Sequence, residues 1–301
     1  RYHQEFLDCW EKLGISFDLF ITTSIRYSVE VTHDFFLNLL NKGFLYRNTA
    51  SQLYCAHCQR YLPDRYVEGI CPYCGFEEAR GYQCDNCGKP LNPNDLIQPQ
   101  CSQCHQPPQV RESEHYFFRL SAFQDKLLAW IKQNTHWRQN ALNFTTRYLE
   151  DGLKDRAITR DIEWGITVPQ PQFENKRIYV WFEAVIGYLS ASREWAKTRG
   201  DKDGWRRFWE GETKSYYFIG KDNISFHTII WPAMLMGYGG LNLPYDVPAN
   251  EFLTLEGRQF STSRNWAVWL PDYLERYDPD PLRYMLSANM PETGDADFSW
   301  Q

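Results

Sequence analysis

No stretch of this sequence approaches eighteen consecutive apolar residues, so it contains no candidate membrane-spanning helix. Positive charge is not in excess either. The 32 Lys and Arg stand against 38 Asp and Glu, a formal net charge of −6. A general electrostatic coat for nucleic acid is therefore missing: DNA is not an expected partner, and any RNA contact has to come from a local patch. Several enzyme signatures are absent: a Walker phosphate loop, His-Glu-x-x-His and Gly-x-Ser-x-Gly. Gly237-Tyr238-Gly239-Gly240 follows a helix-like segment instead of opening one, so it is not a dinucleotide fingerprint. The opening RYHQEFLDCW has neither an initiator Met nor the layout of a signal peptide. It is amphipathic and mid-domain in character, which reads as a fragment at its N-terminus.

What is present is a folded chain. Apolar residues make up 43% and aromatic residues 17% of 301 positions, enough for a sizeable core and two or three structural units. Of nine cysteines, eight fall into four Cys-x-x-Cys pairs and only Cys9 stands alone. The pairs are Cys55/Cys58, Cys71/Cys74, Cys84/Cys87 and Cys101/Cys104. Each makes a tight knuckle that aims two thiolates at one ion, and two knuckles close a tetrahedral four-thiolate site. Four knuckles thus predict two structural ions with no open coordination position. Zinc is the default, and the thiolate chemistry also admits an iron–sulfur cluster. Such pairs persist as thiols in a reducing compartment, which points to the cytoplasm. Spacing alone allows sequential or nested pairing of the knuckles.

Along the chain, residues 1–46 read as α/β: a helix to Gly14, a short strand Leu19–Ile21, and a helix capped by Ser28 that stops near Gly43. Residues 47–110 lose apolar periodicity and gain Gly, Pro, Asn, Gln and Cys, a segment that needs metal staples. Helical spacing returns between Ser113 and Asp151. Residues 160–250 alternate strands and helices. Arg177–Phe182 is one strand candidate, with a helix from Ala184, and Ser215–Ile219 is another, with a helix from about Ile224. That alternation predicts a mainly parallel sheet, with ligands beyond its carboxyl ends, where Trp181–Glu183 and Gly220–Asp222 fall. Leu253–Phe260 reads as a hairpin around Glu256-Gly257.

Three non-cysteine constellations stand out. Trp181, Tyr188, Phe226 and His227 could be core aromatics, the usual fate of such residues, or the wall of a pocket for a thioether, which gains from sulfur–ring contact. In Gly220-Lys221-Asp222, Lys221 suits a phosphate and Asp222 a ribose or an amine. Arg258, Gln259, Ser261, Thr262, Ser263 and Arg264 line a loop that could embrace a triphosphate or be simply solvated.

Taken in order, Ser51–Tyr54, Leu62–Tyr66, Ser113–Phe118, Tyr179–Ala184, Phe218–Asp222, Phe226-His227 with Trp231–Met234, and Asp280–Tyr284 resemble the methionyl-tRNA synthetases across essentially the whole chain. The resemblance implies a class I aminoacyl-tRNA ligase that joins methionine to ATP, with its Mg, and then transfers methionine to tRNA(Met). It implies an α/β, Rossmann-like class I catalytic domain interrupted by a zinc-binding connective insertion and followed by the start of a stem-contact region. The corresponding boundaries are 1–46 (end of the first catalytic half), 47–112 (zinc knuckles), 113–150 (helical remainder of the insertion), 151–250 (second catalytic half) and 251–301 (signature loop and stem contact). By the same resemblance Trp181, Tyr188, Phe226 and His227 match methionine-pocket positions and Lys221 and Asp222 the adenylate-side motif. Arg160 matches an active-site arginine, and Gln259–Ser263 matches the mobile loop usually written KMSKS. Some relatives keep only the inner knuckles, which implies one zinc on Cys71, Cys74, Cys84 and Cys87 and the other on Cys55, Cys58, Cys101 and Cys104.

The departures are specific. The upstream HIGH signature and the downstream anticodon-binding domain are not in this sequence, so the chain on its own is expected to be inactive. Gln259 and Thr262 stand where the family pattern has lysines, which removes two cations from a triphosphate loop; Arg258 and Arg264 are placed to compensate. Two other readings compete: a zinc-ribbon RNA-binding module without catalysis, which would not need the aromatic constellation, and a synthetase for isoleucine, valine or leucine, which would carry a much larger insertion.

Overall fold

The computed structural model describes residues 1–23, 26–63, 66–81, 84, 91–262 and 265–300. The chain divides into two units. One comprises Arg1–Val31, Ser121–Leu153 and Ala184–Gln301; the other comprises Thr32–Leu120 and Lys154–Glu183.

The second unit is built on two long antiparallel strands, Leu45–Cys55 and Gln109–Phe118, paired from Leu45↔Phe118 to Tyr54↔Gln109. Alternation sends Leu45, Leu53, Tyr116 and Phe118 inward. Arg60–Tyr61 extends this sheet on one side and Arg156–Ala157 on the other. The helix Arg26–Asn41 reaches into this unit and buries Phe35, Phe36 and Leu39, and Phe36 meets Tyr116 edge to face at 5.2 Å. Beyond the far end of the long strands lies a three-stranded sheet, Val67–Ile70 between Ala79–Arg80 and Ile97–Cys101. A Cβ on Gly69 would come within 2.9 Å of the Ile97 carbonyl, so that crossing requires glycine. Leu53, Leu62, Val67, Ala79, Leu91 and Leu96 are its buried aliphatics, and buried cysteine sulfurs fill the rest of the core.

In the first unit, the helices Gln124–Ile131 and Gln139–Glu150 bury Leu127, Ile131, Ala141, Thr145 and Leu149. A parallel pair, Ile219–Gly220 with Ala249–Asn250, is extended by a bridge between Tyr216 and Asp246. A 3-10 turn Lys221–Asn223, a π-helical turn Phe226–Ile230 and the buried helix Trp231–Tyr238 follow it. The strand Leu253–Leu255 pairs antiparallel with Arg258–Gln259 and parallel with Ala296–Phe298. Glu256 (φ 49°) and Gly257 (φ 72°) make the tight turn that their sequence predicts.

Several elements differ from the sequence reading. Ser113–Phe118, where helical spacing was expected to begin, belongs to the strand Gln109–Phe118, because Tyr116 and Phe118 are buried on one face in a period of two. Thr159–Arg160 pairs antiparallel with Arg177–Ile178, where strand–helix alternation predicts a parallel pair. Residues 19–21 form no strand. The helix with Ser28 starts by Arg26, so Ser28 lies inside it, fully buried and 3.5 Å from the Ser190 hydroxyl. The helix expected from Ala184 starts at Val180: the Tyr179 carbonyl captures the N–H groups of Phe182 and Glu183, which cuts the strand to Arg177–Ile178. Trp181 therefore sits in a first helical turn and does not end a strand. Among the described residues no helix is long and apolar enough to cross a membrane.

Candidate functional site

Each described knuckle has the same local form. The residue after the second cysteine is left-handed: Gln59 (φ 50°), Gly75 (φ 75°) and His105 (φ 56°). That twist lets Gly75 N–H reach the Cys71 carbonyl at 3.0 Å and His105 N–H the Cys101 carbonyl at 2.8 Å, curling each loop around its sulfurs. The long-strand register then decides the partners. Cys55, Cys58, Cys101 and Cys104 converge in one cluster and Cys71, Cys74 and Cys84 in another, with sulfurs within 4.8 Å of one another. Cys87 lies outside the described residues.

Sulfur separations are 3.4 Å for Cys55–Cys104, 3.9 Å for Cys58–Cys101 and 3.6 Å for Cys74–Cys84. A tetrahedron with ~2.3 Å metal–sulfur bonds has edges of about 3.8 Å, so the donor sets fit a zinc-sized ion. The Cys58 N–H donates to the Cys55 sulfur at 3.3 Å and draws that thiol down to about 7. Contact with Cys104 pushes Cys58 up to about 12. Such crowded thiols favour exchanging their protons for a cation.

The second cluster is aromatic and lies in the first unit. The rings of Tyr188 and Tyr217 are 4.9 Å apart, and that of His227 lies 5.7 Å and 5.8 Å from them. His227 Nδ1 is 2.9 Å from the Asn223 carbonyl, which only accepts, so Nδ1 carries the proton. Nε2 then accepts from the Tyr188 hydroxyl at 2.8 Å. Burial pulls the His227 pKa below its ordinary value and raises that of Tyr188, so the pair is neutral. Phe226 occupies the same π-turn, half-buried, and Trp181 belongs to the other unit. The sequence reading passed over Tyr217, which burial pushes up to about 12. A strand's alternation was its signal: Tyr216 and Phe218 are exposed and Tyr217 is buried.

Near the end of the parallel pair, the Lys221 ammonium lies 2.7 Å from Glu251 and 2.8 Å from Asp295. Burial opposes its charge, but these two carboxylates hold its pKa above the usual value. Asp222 is exposed and accepts from Asn223 at 3.0 Å. Downstream, Arg258 lies 5.4 Å over the Trp266 ring, and Ser261 and Trp266 exchange backbone hydrogen bonds of 2.8 and 2.9 Å. Gln259 and Thr262 are exposed; Ser263 and Arg264 lie outside the described residues. Arg160, in the second unit, donates to the carbonyls of Ala157 (2.8 Å) and Thr159 (3.0 Å), with its guanidinium 3.9 Å above the Tyr179 ring.

Glu183, within the Tyr179–Ala184 stretch, takes no role of its own from sequence. It is 7% exposed, and its Oε2 has no hydrogen-bond partner among the described residues. Burial lifts its pKa from 4.5 to about 7. The folded protein then holds a proton that the unfolded chain releases, so this group's contribution to stability falls as pH rises from 4.5 to 7, by about 3 kcal/mol at ~1.4 kcal/mol per pKa unit. Glu183→Gln is expected to raise the melting temperature at pH 8 and leave it unchanged at pH 4. A scan showing equal shifts at both pH values would contradict that.

The family described as tRNA synthetases class I (M) matches residues 1–301. A protein named methionine--tRNA ligase from Dehalococcoides mccartyi (strain CBDB1) is 61% identical over 301 residues, covering 100% of this chain and 54% of that protein. One of the same name from Thermoplasma volcanium is 50% identical over 300 residues, covering 99% of this chain and 55% of its own length. Among solved structures, Mycobacterium tuberculosis methionyl-tRNA synthetase bound by methionyl-adenylate aligns with a TM-score of 0.71 at 26% identity, covering 99% of this chain and 52% of that one. The chain spans about half the length of the relatives it matches.

Proposed function

The chain belongs to the class I tRNA synthetases (M), and from that premise we propose that it is the central part of a methionine–tRNA ligase. The reaction would join the methionine carboxylate to the α-phosphate of ATP, releasing pyrophosphate, and then pass the methionyl group to tRNA(Met). The observation that carries this reading is the identity over the full 301 residues to proteins of that name. Within it, 1–46 is assigned to the end of the first half of the catalytic domain, 47–112 to the zinc-knuckle part of the insertion, 113–150 to its helical remainder, 151–250 to the second half of the catalytic domain and 251–301 to the signature-loop and stem-contact region.

Tyr188 and His227, with Phe226 and Trp181, are assigned to the methionine side chain. A neutral Tyr–His pair suits an uncharged thioether: it presents ring faces and leaves no ionised group to desolvate. Arg160, Asp222, Arg258, Gln259, Ser261, Thr262 and Ser263 are assigned to ATP, its Mg and the adenylate. Lys221 reaches a phosphate only by leaving Glu251 and Asp295. Two zinc ions are assigned to the knuckles, Cys55, Cys58, Cys101 and Cys104 for one and Cys71, Cys74, Cys84 and Cys87 for the other. Zinc there would staple the fold, with all four positions taken by sulfur. The cytoplasm suits these thiols.

The full-length protein is expected to catalyse pyrophosphate–ATP exchange that depends on methionine and to charge tRNA(Met). Exchange supported by isoleucine, valine or leucine and not by methionine would overturn the substrate. RNA binding with no exchange for any amino acid would favour a non-catalytic ribbon.

A further inference from the structure

The second unit holds a buried polar network that the assignments above leave unused. His115, on the strand Gln109–Phe118, is fully buried. Its Nε2 lies 3.1 Å from Asp161 Oδ2 and its Nδ1 2.9 Å from the Thr159 hydroxyl. Asp161 only accepts, so Nε2 carries the proton and Nδ1 accepts from Thr159, whose oxygen accepts in turn from the Tyr116 N–H at 3.1 Å. Asp161 also accepts from Ser113 at 2.7 Å and pairs with the Lys176 ammonium, which reaches Ser113 at 2.7 Å. Gln52, on the strand that ends in Cys55, has its side-chain amide 2.8 Å from His115 Nε2, and against that N–H the amide presents its oxygen. Burial opposes the Asp161 charge, but the hydrogen bonds from His115, Lys176 and Ser113 hold its carboxyl well below the usual range. Burial also holds the His115 pKa below its ordinary value.

Arg160 lies between the two residues this network grips. The strand Thr159–Arg160 is two residues long and pairs only with Arg177–Ile178 among the described strands. So short a ladder does not fix its own position. Arg160, in turn, takes its direction from that backbone, through its bonds to Ala157 and Thr159. We propose that His115, Thr159, Asp161 and Lys176 are positioning residues that hold Arg160 in its working geometry and tie it to the two long strands leading to the outer cysteine knuckles. The proposal rests on the assignment of Arg160 to the substrates. Positioning of this kind acts on the rate more than on substrate affinity.

The test uses the full-length protein and methionine-dependent pyrophosphate–ATP exchange. Thr159→Val keeps the shape and removes the hydroxyl; Asp161→Asn keeps the shape and removes the charge. Each is expected to lower kcat about tenfold or more with KM for methionine within about threefold and metal content unchanged. Thr159→Ser restores the hydroxyl and should restore the rate. Glu112→Gln, on the same strand but bonded to exposed Ser51, should change nothing. The deciding measurement is the cycle with Arg160→Ala: if the network acts through Arg160, Thr159→Val or Asp161→Asn adds little once Arg160 is gone. Multiplicative losses, or a normal kcat in the two isosteric variants, overturn the proposal. A normal rate for Arg160→Ala alone would instead remove Arg160 from the substrate site, a distinct failure of the earlier assignment.

Discussion

A chelator added to the full-length protein is expected to unfold the segment Cys55–Cys104 while the helices of the first unit remain folded. Among the described residues, that segment buries five aliphatic side chains, Leu62, Val67, Ala79, Leu91 and Leu96, around cysteine sulfur, with Leu53 of the adjoining strand packed beside them. So thin a core cannot order some fifty residues by apolar burial alone. Thiolate coordination, worth on the order of 10–16 kcal/mol per structural zinc site at neutral pH, would then be the dominant stabilising term. Amide exchange resolved along the chain would show protection lost first between 55 and 104. The same loss should follow acidification, because protons compete with metal for thiolate, and stability of the segment falls as pH drops. Single substitutions separate the clusters. Cys55→Ser should release the ion held with Cys58, Cys101 and Cys104 and spare the one at Cys71, Cys74 and Cys84. Loss of the Cys55-cluster ion from Cys71→Ser, with the inner one retained, would contradict the two groupings in the structure.

Removing the His227 ring is the second large effect. In the full-length protein, His227→Ala should raise the KM for methionine about ten- to a hundredfold and leave the KM for ATP and the metal content nearly unchanged. Tyr188 donates a 2.8 Å bond to a buried, neutral imidazole. Truncation strips the part-buried Tyr188 hydroxyl of its partner beside Tyr217 and opens the ring wall; a ten- to hundredfold loss of affinity corresponds to roughly 1.4–2.8 kcal/mol. Tyr188→Phe should show the same direction with a smaller size, because the ring stays. Trp181→Ala should share the bias toward methionine. A purely structural role predicts something else for all three: a lower melting temperature and equal effects on both substrates.

Sequence alone determined the elements whose physics is local. Cys-x-x-Cys spacing makes a knuckle whatever surrounds it, since a left-handed residue after the second cysteine suffices to close the loop. Glu256-Gly257 between short extended runs likewise makes its turn, and Gly14 (φ 67°) and Gly43 (φ 77°) stand just past helix ends as their spacing requires. Which knuckles share an ion was not a local question. The register of Leu45–Cys55 against Gln109–Phe118 brings Cys55 beside Cys104, 49 residues away, and spacing alone allowed more than one pairing. The helix start shows the opposite limit. Ile178–Phe182 has strand-forming side chains, yet the Tyr179 carbonyl takes two helical hydrogen bonds and the aromatic run turns into a helix. Tyr217 and Glu183 were visible as letters, but burial gave them their chemistry. The network on His115 was the least legible. Its members come from four stretches, with Ser113 and Asp161 48 residues apart, and nothing in any one stretch marks a buried imidazole for a carboxylate; only folding removes the water that would otherwise solvate each of them separately.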